Sequence, residues 1–160
     1  MQKNTKRNCI IKFIGILLSL LLFLPPLSSC TERRSAEDIL FDITKDLTDL
    51  PDGKVYLSGA AEGSEGFLIP SVINALYYEG AAKNEFSLIE EYAIYVSDFA
   101  KPCEVAVYKC FSRSDTGRIA AMCLRRIENL CVILKGTSFF EITQRAKVDV
   151  KGRCVIVTMV

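Results

Sequence analysis

Histidine is missing from the chain, and so is any Cys-x-x-C pair. These absences exclude zinc sites with histidine ligands, thioredoxin-like redox chemistry, and Cys–His or Ser–His–Asp catalysis. The sequence has no internal repeat or low-complexity segment. Its loop glycines, Gly59, Gly63 and Gly66, fit neither the dinucleotide-binding nor the P-loop spacing. Several large classes of enzyme are therefore excluded before any fold is considered.

The N-terminus carries an apolar run from Ile10 to Cys30. Basic residues precede the run, and no acidic residue occurs before Glu32. A charged start, a short apolar core and small residues at a cut site are typical of a secretory signal peptide. The core is shorter than the roughly 20 residues that a spanning helix needs, which disfavours a retained transmembrane anchor. We therefore predict a signal peptide over residues 1–29.

The end of this run, Leu27-Ser28-Ser29-Cys30, resembles the lipobox of bacterial lipoproteins. In that motif the cysteine receives a diacylglyceryl thioether and becomes the new N-terminus, and a thiolate is nucleophilic enough for this step. Ser29 stands where Gly or Ala is commoner. The resemblance implies cleavage between Ser29 and Cys30, and palmitate-type acyl chains on Cys30 that hold the protein outside the bacterial cell membrane. An ordinary signal with an incidental cysteine, or an uncleaved anchor, remains the alternative.

The remaining 131 residues suit one small domain. Four basic residues leave with the signal, so the mature chain has 16 basic and 19 acidic side chains, a net charge of −3. No basic stripe remains that would bind nucleic acid. We predict that residues 30–35 are the lipidated cysteine and a short spacer, and that residues 36–160 form the domain.

The periodicity of the mature chain predicts an α+β fold: a small antiparallel sheet of about four strands, packed with two to three helices. Helices are expected from Ser35 to Leu50, from Phe67 to Tyr78 and over about 16 residues after Asp115, with a short one over 138–145. The first is amphipathic, and its acidic polar face favours packing on the domain over lying on the membrane. Strands are predicted at 54–58, 90–97 and 104–110, followed by a hairpin over 146–160. The strands 90–97 and 104–110 have apolar residues on both faces, which indicates a sheet covered on both sides.

Three segments together resemble a family of small bacterial lipoproteins catalogued as domain of unknown function 4358. They are Glu90-Glu-Tyr-Ala-Ile-Tyr-Val-Ser97, Glu104-Val-Ala-Val-Tyr-Lys109, and a helix that carries Arg125-Arg126. Val148-Asp-Val-Lys-Gly-Arg-Cys-Val155 fits the family's closing hairpin, so the resemblance covers about 68–157. The chain departs from the family in its many cysteines and in ending at the last strand. The resemblance implies a cell-envelope lipoprotein and supplies no catalytic residues.

Four acidic residues near strand ends are candidates for a carboxylate pair in acid–base hydrolysis. Exposed acids are nevertheless normal at such positions. Two adjacent arginines are candidates for binding an anionic partner, although a solvated helix face is the preferred interpretation. Five tyrosines either line a ligand surface or, as we favour, pack in the core. These candidates are Glu90, Glu91, Asp98 and Glu104; Arg125 and Arg126; and Tyr77, Tyr78, Tyr92, Tyr95 and Tyr108.

Five cysteines remain in the mature domain, an odd number that leaves at least one thiol unpaired. We favour packing as small hydrophobes over disulfides, and disulfides over a thiolate metal site. The cysteines are Cys103, Cys110, Cys123, Cys131 and Cys154.

The first functional hypothesis is a non-catalytic binding or assembly module of the cell envelope. Its partner would be another protein or a small ligand, and no metal or cofactor is expected. The alternatives are a carboxylate-based envelope hydrolase and a thiol redox or metal protein. The missing histidine and the missing nucleophile motif favour the first hypothesis.

Overall fold

Five antiparallel strands form a single sheet in the computed structural model, which describes residues 33–78, 84–98 and 101–160. The strand order is β1-β2-β3-β5-β4. The predicted signal peptide, the lipidation site Cys30 and the start of the spacer lie outside the described residues. The strands are β1 (Gly53–Leu57), β2 (Ile89–Ser97), β3 (Glu104–Cys110), β4 (Lys147–Lys151) and β5 (Cys154–Met159).

Four helices accompany the sheet: α1 (Ala36–Thr44), α2 (Pro70–Tyr78), α3 (Thr116–Ile133) and α4 (Phe140–Gln144). Two 3-10 turns, Glu85–Leu88 and Arg113–Asp115, lead into β2 and α3. Ser35 caps α1 because its hydroxyl accepts a hydrogen bond from the Asp38 backbone N–H at 3.0 Å. The β4–β5 hairpin turns at Gly152, whose φ of 61° lies in the left-handed region that glycine adopts without strain.

The central strand β3 is buried along its whole length. Its side chains alternate between two separate cores, as a strand covered on both faces requires. We call the two sides of the sheet the α3 face, which carries Ala106 and Tyr108, and the α1 face, which carries Val105 and Val107. Helices α2 and α3 cover the first side, and α1 with α4 covers the second.

The predicted α+β class is confirmed. The sheet has five strands rather than about four, because the short strand expected near residue 54 pairs with β2 along its whole length. The prediction that α1 packs on its own domain is also confirmed, since Ala36, Ile39 and Leu40 are buried. The helix ends at Thr44 rather than continuing to Leu50. Leu47 and Leu50 still pack against the α1-face core, but from a turn.

The sheet and both cores lie within one compact unit, residues 31–160, so this segment contains the contacts that a domain needs to fold by itself. Within the described parts of the chain, no helix is both long enough and apolar enough to cross a membrane.

Candidate functional site

A cleft of about 610 Å³ opens at the end of the sheet where β2 finishes and β3 begins. The ends of α2 and α3 and the segment before α4 form its other walls. Its volume is within the range of small-molecule sites, roughly 300–1,000 Å³. The lining is mostly apolar: Tyr56, Val72, Leu76, Val96, Pro102, Cys103, Leu130, Ile133, Leu134, Phe139 and Met159, with Lys54, Ser97, Asp98, Glu104 and Arg126 as the polar members.

A buried ion pair lies in the wall of this cleft. Arg126 donates from Nε to Glu104 Oε2 at 2.6 Å, and the two side chains are only 11% and 4% exposed. Arg126 also donates from Nη1 to the Leu76 carbonyl oxygen at 3.0 Å. The pair therefore joins β3, α2 and α3 at one point, and each charge has a charged or polar partner, as burial requires.

Two tyrosines complete the network. Tyr77 Oη lies 3.4 Å from Glu104 Oε1 and 2.5 Å from Tyr108 Oη. Because a tyrosine hydroxyl has one proton, Tyr77 can donate to Glu104 only if Tyr108 donates to Tyr77. The guanidinium carbon of Arg126 also lies 5.2 Å from the centre of the Tyr77 ring, in a cation–π contact.

The electrostatics of this network favour a charged Arg126 and neutral tyrosines. Burial by itself would lower the pKa of Arg126, but the charge of Glu104 and the hydrogen bond to it outweigh burial and raise that pKa. Burial raises the pKa of both Tyr77 and Tyr108 well above the usual value, and the nearby carboxylate adds to the effect. The network is thus a fixed arrangement of one cation, one anion and two neutral hydroxyls.

The interpretation of Arg126 as part of a solvated helix face is wrong. Arg126 lies seven positions after Ile119 and three after Cys123, which places it on the buried stripe of α3. Likewise, Glu104 shares a face with Ala106 and Tyr108 because strand side chains alternate. The positions of both charges on apolar faces were therefore visible in the sequence, although their pairing was not.

The structure brings two of the four candidate carboxylates, Glu104 and Asp98, to the same cleft. Glu104 is held by Arg126 in the cleft wall, and Asp98 lines the same cleft as an exposed residue. Glu91 pairs with Lys109, at 3.4 Å, and Glu90 pairs with Arg153, at 2.6 Å. The interpretation of these residues as exposed acids holds for Glu90 and Asp98 but is wrong for Glu104, which is only 3% exposed.

Arg125 behaves as predicted for an exposed helix face: it is 41% exposed and lies 3.2 Å from Glu85. The tyrosines Tyr77, Tyr78, Tyr95 and Tyr108 are buried, and Tyr92 is half-buried. Core and sheet packing, the preferred interpretation for these tyrosines, is therefore confirmed. Tyr77 and Tyr108 have in addition the polar role in the network, which the sequence did not indicate.

The cysteines are placed mainly as packing residues. Cys103, Cys110, Cys123 and Cys154 are buried and Cys131 is half-buried. Cys103, Cys110, Cys123 and Cys131 have free thiol groups and form no disulfide. Burial raises the pKa of Cys110 to about 11, which disfavours the nucleophilic thiolate. In the described part of the chain, no group of three or more Cys, Asp or Glu side chains is arranged to hold a metal ion.

The chain was compared with protein-family models, curated protein sequences and solved structures. None of the three comparisons gave a match.

Proposed function

We propose that the protein is a bacterial lipoprotein, anchored outside the cell membrane through Cys30, and that it acts as a non-catalytic binding module of the cell envelope. The cleft between α2, α3 and the end of the sheet is its binding site. The resemblance of its strands and hairpin to domain of unknown function 4358 fits this placement.

The observation that carries the binding role is an open apolar cleft whose buried charges already satisfy each other. A hydrolase built on carboxylates needs a pair of acids in one pocket, one of them with a raised pKa. In this cleft, the buried carboxylate of Glu104 instead accepts hydrogen bonds from Arg126 and Tyr77. Apolar walls with a few fixed polar groups are typical of small-molecule sites.

Site-specific photocrosslinking in the bacterial membrane tests the binding role. Ile133 and Val132 are a matched pair, since they are 71% and 76% exposed but only Ile133 lines the cleft. We expect a photoreactive residue at position 133 to give a discrete adduct that the same residue at position 132 does not give. Equal labelling at both positions would contradict the cleft as the binding site. Turnover of cell-wall fragments by the purified domain, lost in Glu104→Gln, would support the hydrolase instead.

Metabolic labelling with an alkyne-bearing palmitate tests the anchor. We expect Cys30→Ser to abolish labelling and to leave the precursor uncleaved, because the thioether cannot form on serine. Cys9→Ser is the matched control and should be labelled like the unchanged protein. Labelling that survives Cys30→Ser, or an intact mass that includes Met1, would overturn the anchor.

A further inference from the structure

We propose that the cleft binds an uncharged, largely apolar small molecule that carries a carbonyl or hydroxyl oxygen, and that Arg126 Nη2 is the donor for this oxygen. This inference rests on the proposed binding function and adds the chemical class of the ligand.

The first argument is the hydrogen-bonding inventory of Arg126. Its Nε and Nη1 atoms donate to Glu104 and to Leu76, whereas Nη2 has no partner among the described residues. No fully buried side-chain nitrogen or oxygen lacks a partner in that same part of the chain. Nη2 is therefore accessible, and Arg126 lines the cleft. A ligand oxygen in the cleft would satisfy this donor.

The second argument is the charge of the cleft. Among the described lining residues, Lys54 and Asp98 are exposed and oppositely charged, and Arg126 and Glu104 form the buried pair, so the formal charges cancel. A ligand carboxylate beside Nη2 would lie close to Glu104, which is already 2.6 Å from the same guanidinium. A ligand ammonium would be repelled by Arg126. Either ion would lose its hydration without gaining an unpaired counter-charge at the inner wall.

The third argument is the apolar lining. Leu76 and Val72 of α2, Leu130 and Ile133 of α3, and Met159 of β5 all line the cleft. Contact with these side chains removes apolar surface of a ligand from water, which favours binding. A hydrocarbon body with one acceptor oxygen therefore fits both the walls and the Nη2 donor.

The experiment uses the isolated domain, residues 31–160, and the uncharged dye Nile red, which carries a carbonyl oxygen. Saturable enhancement of its emission reports binding, and displacement ranks four competitors of equal chain length at pH 7.5. These are 1-octanol, octanoate, octylammonium and 1-bromooctane. We expect octanol to displace the dye at a concentration about tenfold lower than octanoate or octylammonium, and bromooctane is the reference that buries the same chain without an acceptor oxygen.

Variants assign the binding to the cleft. Ile133→Glu places a charge at the rim and should weaken dye binding about tenfold, whereas its exposed neighbour Val132→Glu should change it less than about twofold. Arg126→Lys keeps a cation beside Glu104 but removes the planar second donor. It should raise the concentration of octanol needed for displacement about tenfold and leave that of bromooctane unchanged. Circular dichroism checks that the variant is folded. Glu104→Gln provides a second variant with the donor retained, and should admit octanoate.

Several outcomes would overturn this inference. They are a preference for octanoate or octylammonium, non-saturable dye binding, or equal effects of Ile133→Glu and Val132→Glu. A charged preference with an intact Ile133 effect would reject the ligand class but leave the binding function standing. A failure of the photocrosslinking and labelling experiments, by contrast, would reject the function itself.

Discussion

The buried strand β3 has a charged residue near each end, and the two lie on opposite faces of the sheet. Glu104 faces α3 and pairs with Arg126 at 2.6 Å, with both side chains nearly inaccessible. Lys109 faces α1 and pairs with Glu91 at 3.4 Å, where the lysine is 8% exposed and the glutamate 36%. One strand thus carries a fully buried ion pair and a half-exposed one.

The two ion pairs connect different elements of the fold. At the Lys109 end, Glu91 also accepts a hydrogen bond from the first backbone N–H of α1, Ala36, and Lys109 donates to the Arg34 carbonyl oxygen. That pair ties α1 to the sheet. At the Glu104 end, the pair joins β3 to α3, Arg126 donates to the Leu76 carbonyl oxygen of α2, and both charged residues line the cleft. The proposed binding role depends on this second pair.

Removing the cation from the Glu104–Arg126 pair should cause the largest loss in the free energy of unfolding. Arg126→Leu leaves Glu104 buried without a counter-charge, so we expect a loss of about 3–5 kcal/mol in the free energy of unfolding. Urea unfolding of the domain measures this loss. The neighbouring Arg125→Leu is the control. Arg125 is 41% exposed, so water can partly replace it beside Glu85, which is 15% exposed, and we expect a smaller loss of about 1–2 kcal/mol. Equal losses at the two positions would show that Arg126 is not buried as described.

Removing a hydroxyl from the pair Tyr77 and Tyr108 should cause the second-largest loss in the free energy of unfolding. Tyr77→Phe removes the hydroxyl that links Tyr108 to Glu104 and leaves the Tyr108 hydroxyl without its partner, at a cost of about 1–3 kcal/mol. The double variant Tyr77→Phe with Tyr108→Phe should lose less than the sum of the two single variants, because their hydroxyls share one network. Strict additivity in the same urea measurement would argue against the hydrogen bond between them.

Breaking the half-exposed ion pair of Lys109 and Glu91 should reduce the free energy of unfolding less than either of these changes. Lys109→Met keeps most of the apolar packing of the lysine stem, and Glu91 can regain water, so we expect a loss of about 1 kcal/mol. Added salt should reduce the difference between this variant and the unchanged domain, since exposed charges are screened. A loss as large as that of Arg126→Leu would remove the contrast between the two ends of β3.

The smallest change in the free energy of unfolding is expected from Cys110, and it should appear at alkaline pH. Burial raises the pKa of Cys110 from 9.0 to about 11, so the folded domain holds this proton more tightly than the unfolded chain. Its contribution is fully present below pH 9 and is lost as the pH rises towards 11. Cys110→Ala should therefore flatten the fall in the free energy of unfolding over this interval, measured by urea titration at each pH. A slope in Cys110→Ala equal to that of the unchanged domain would contradict the assignment.

Much of the fold was predictable because its signals are local. The alternation around Ala93 and Val107 predicted two covered faces, and the apolar stripe through Ile119 and Met122 predicted the long helix. The boundary of α1 was less predictable. Leu47 and Leu50 continue the helical spacing, but they reach the core from a turn because tertiary contact, not periodicity, decides where they pack.

The candidate site was only partly predictable. Glu104 was a candidate for a carboxylate pair, and Arg126 was a candidate for binding an anionic partner. Both were expected instead to be exposed to solvent. They are 22 residues apart in the chain, and Tyr77 is a further 27 residues before Glu104. No spacing rule connects residues from a strand and two helices at such separations.

The sequence by itself determined the α+β class, the two-sided burial of the central strand and the apolar stripe of α3, because side-chain periodicity follows directly from backbone geometry. It also carries the segment that resembles a signal peptide and a lipobox, on which the proposed location depends. Only the tertiary structure decided that Glu104, Arg126, Tyr77 and Tyr108 form one network and that an apolar cleft opens beside it. The reason is that a buried charged side chain needs a group of opposite charge or a hydrogen-bonding group beside it. Here these groups come from different elements, so their pairing depends on how the helices pack across the sheet.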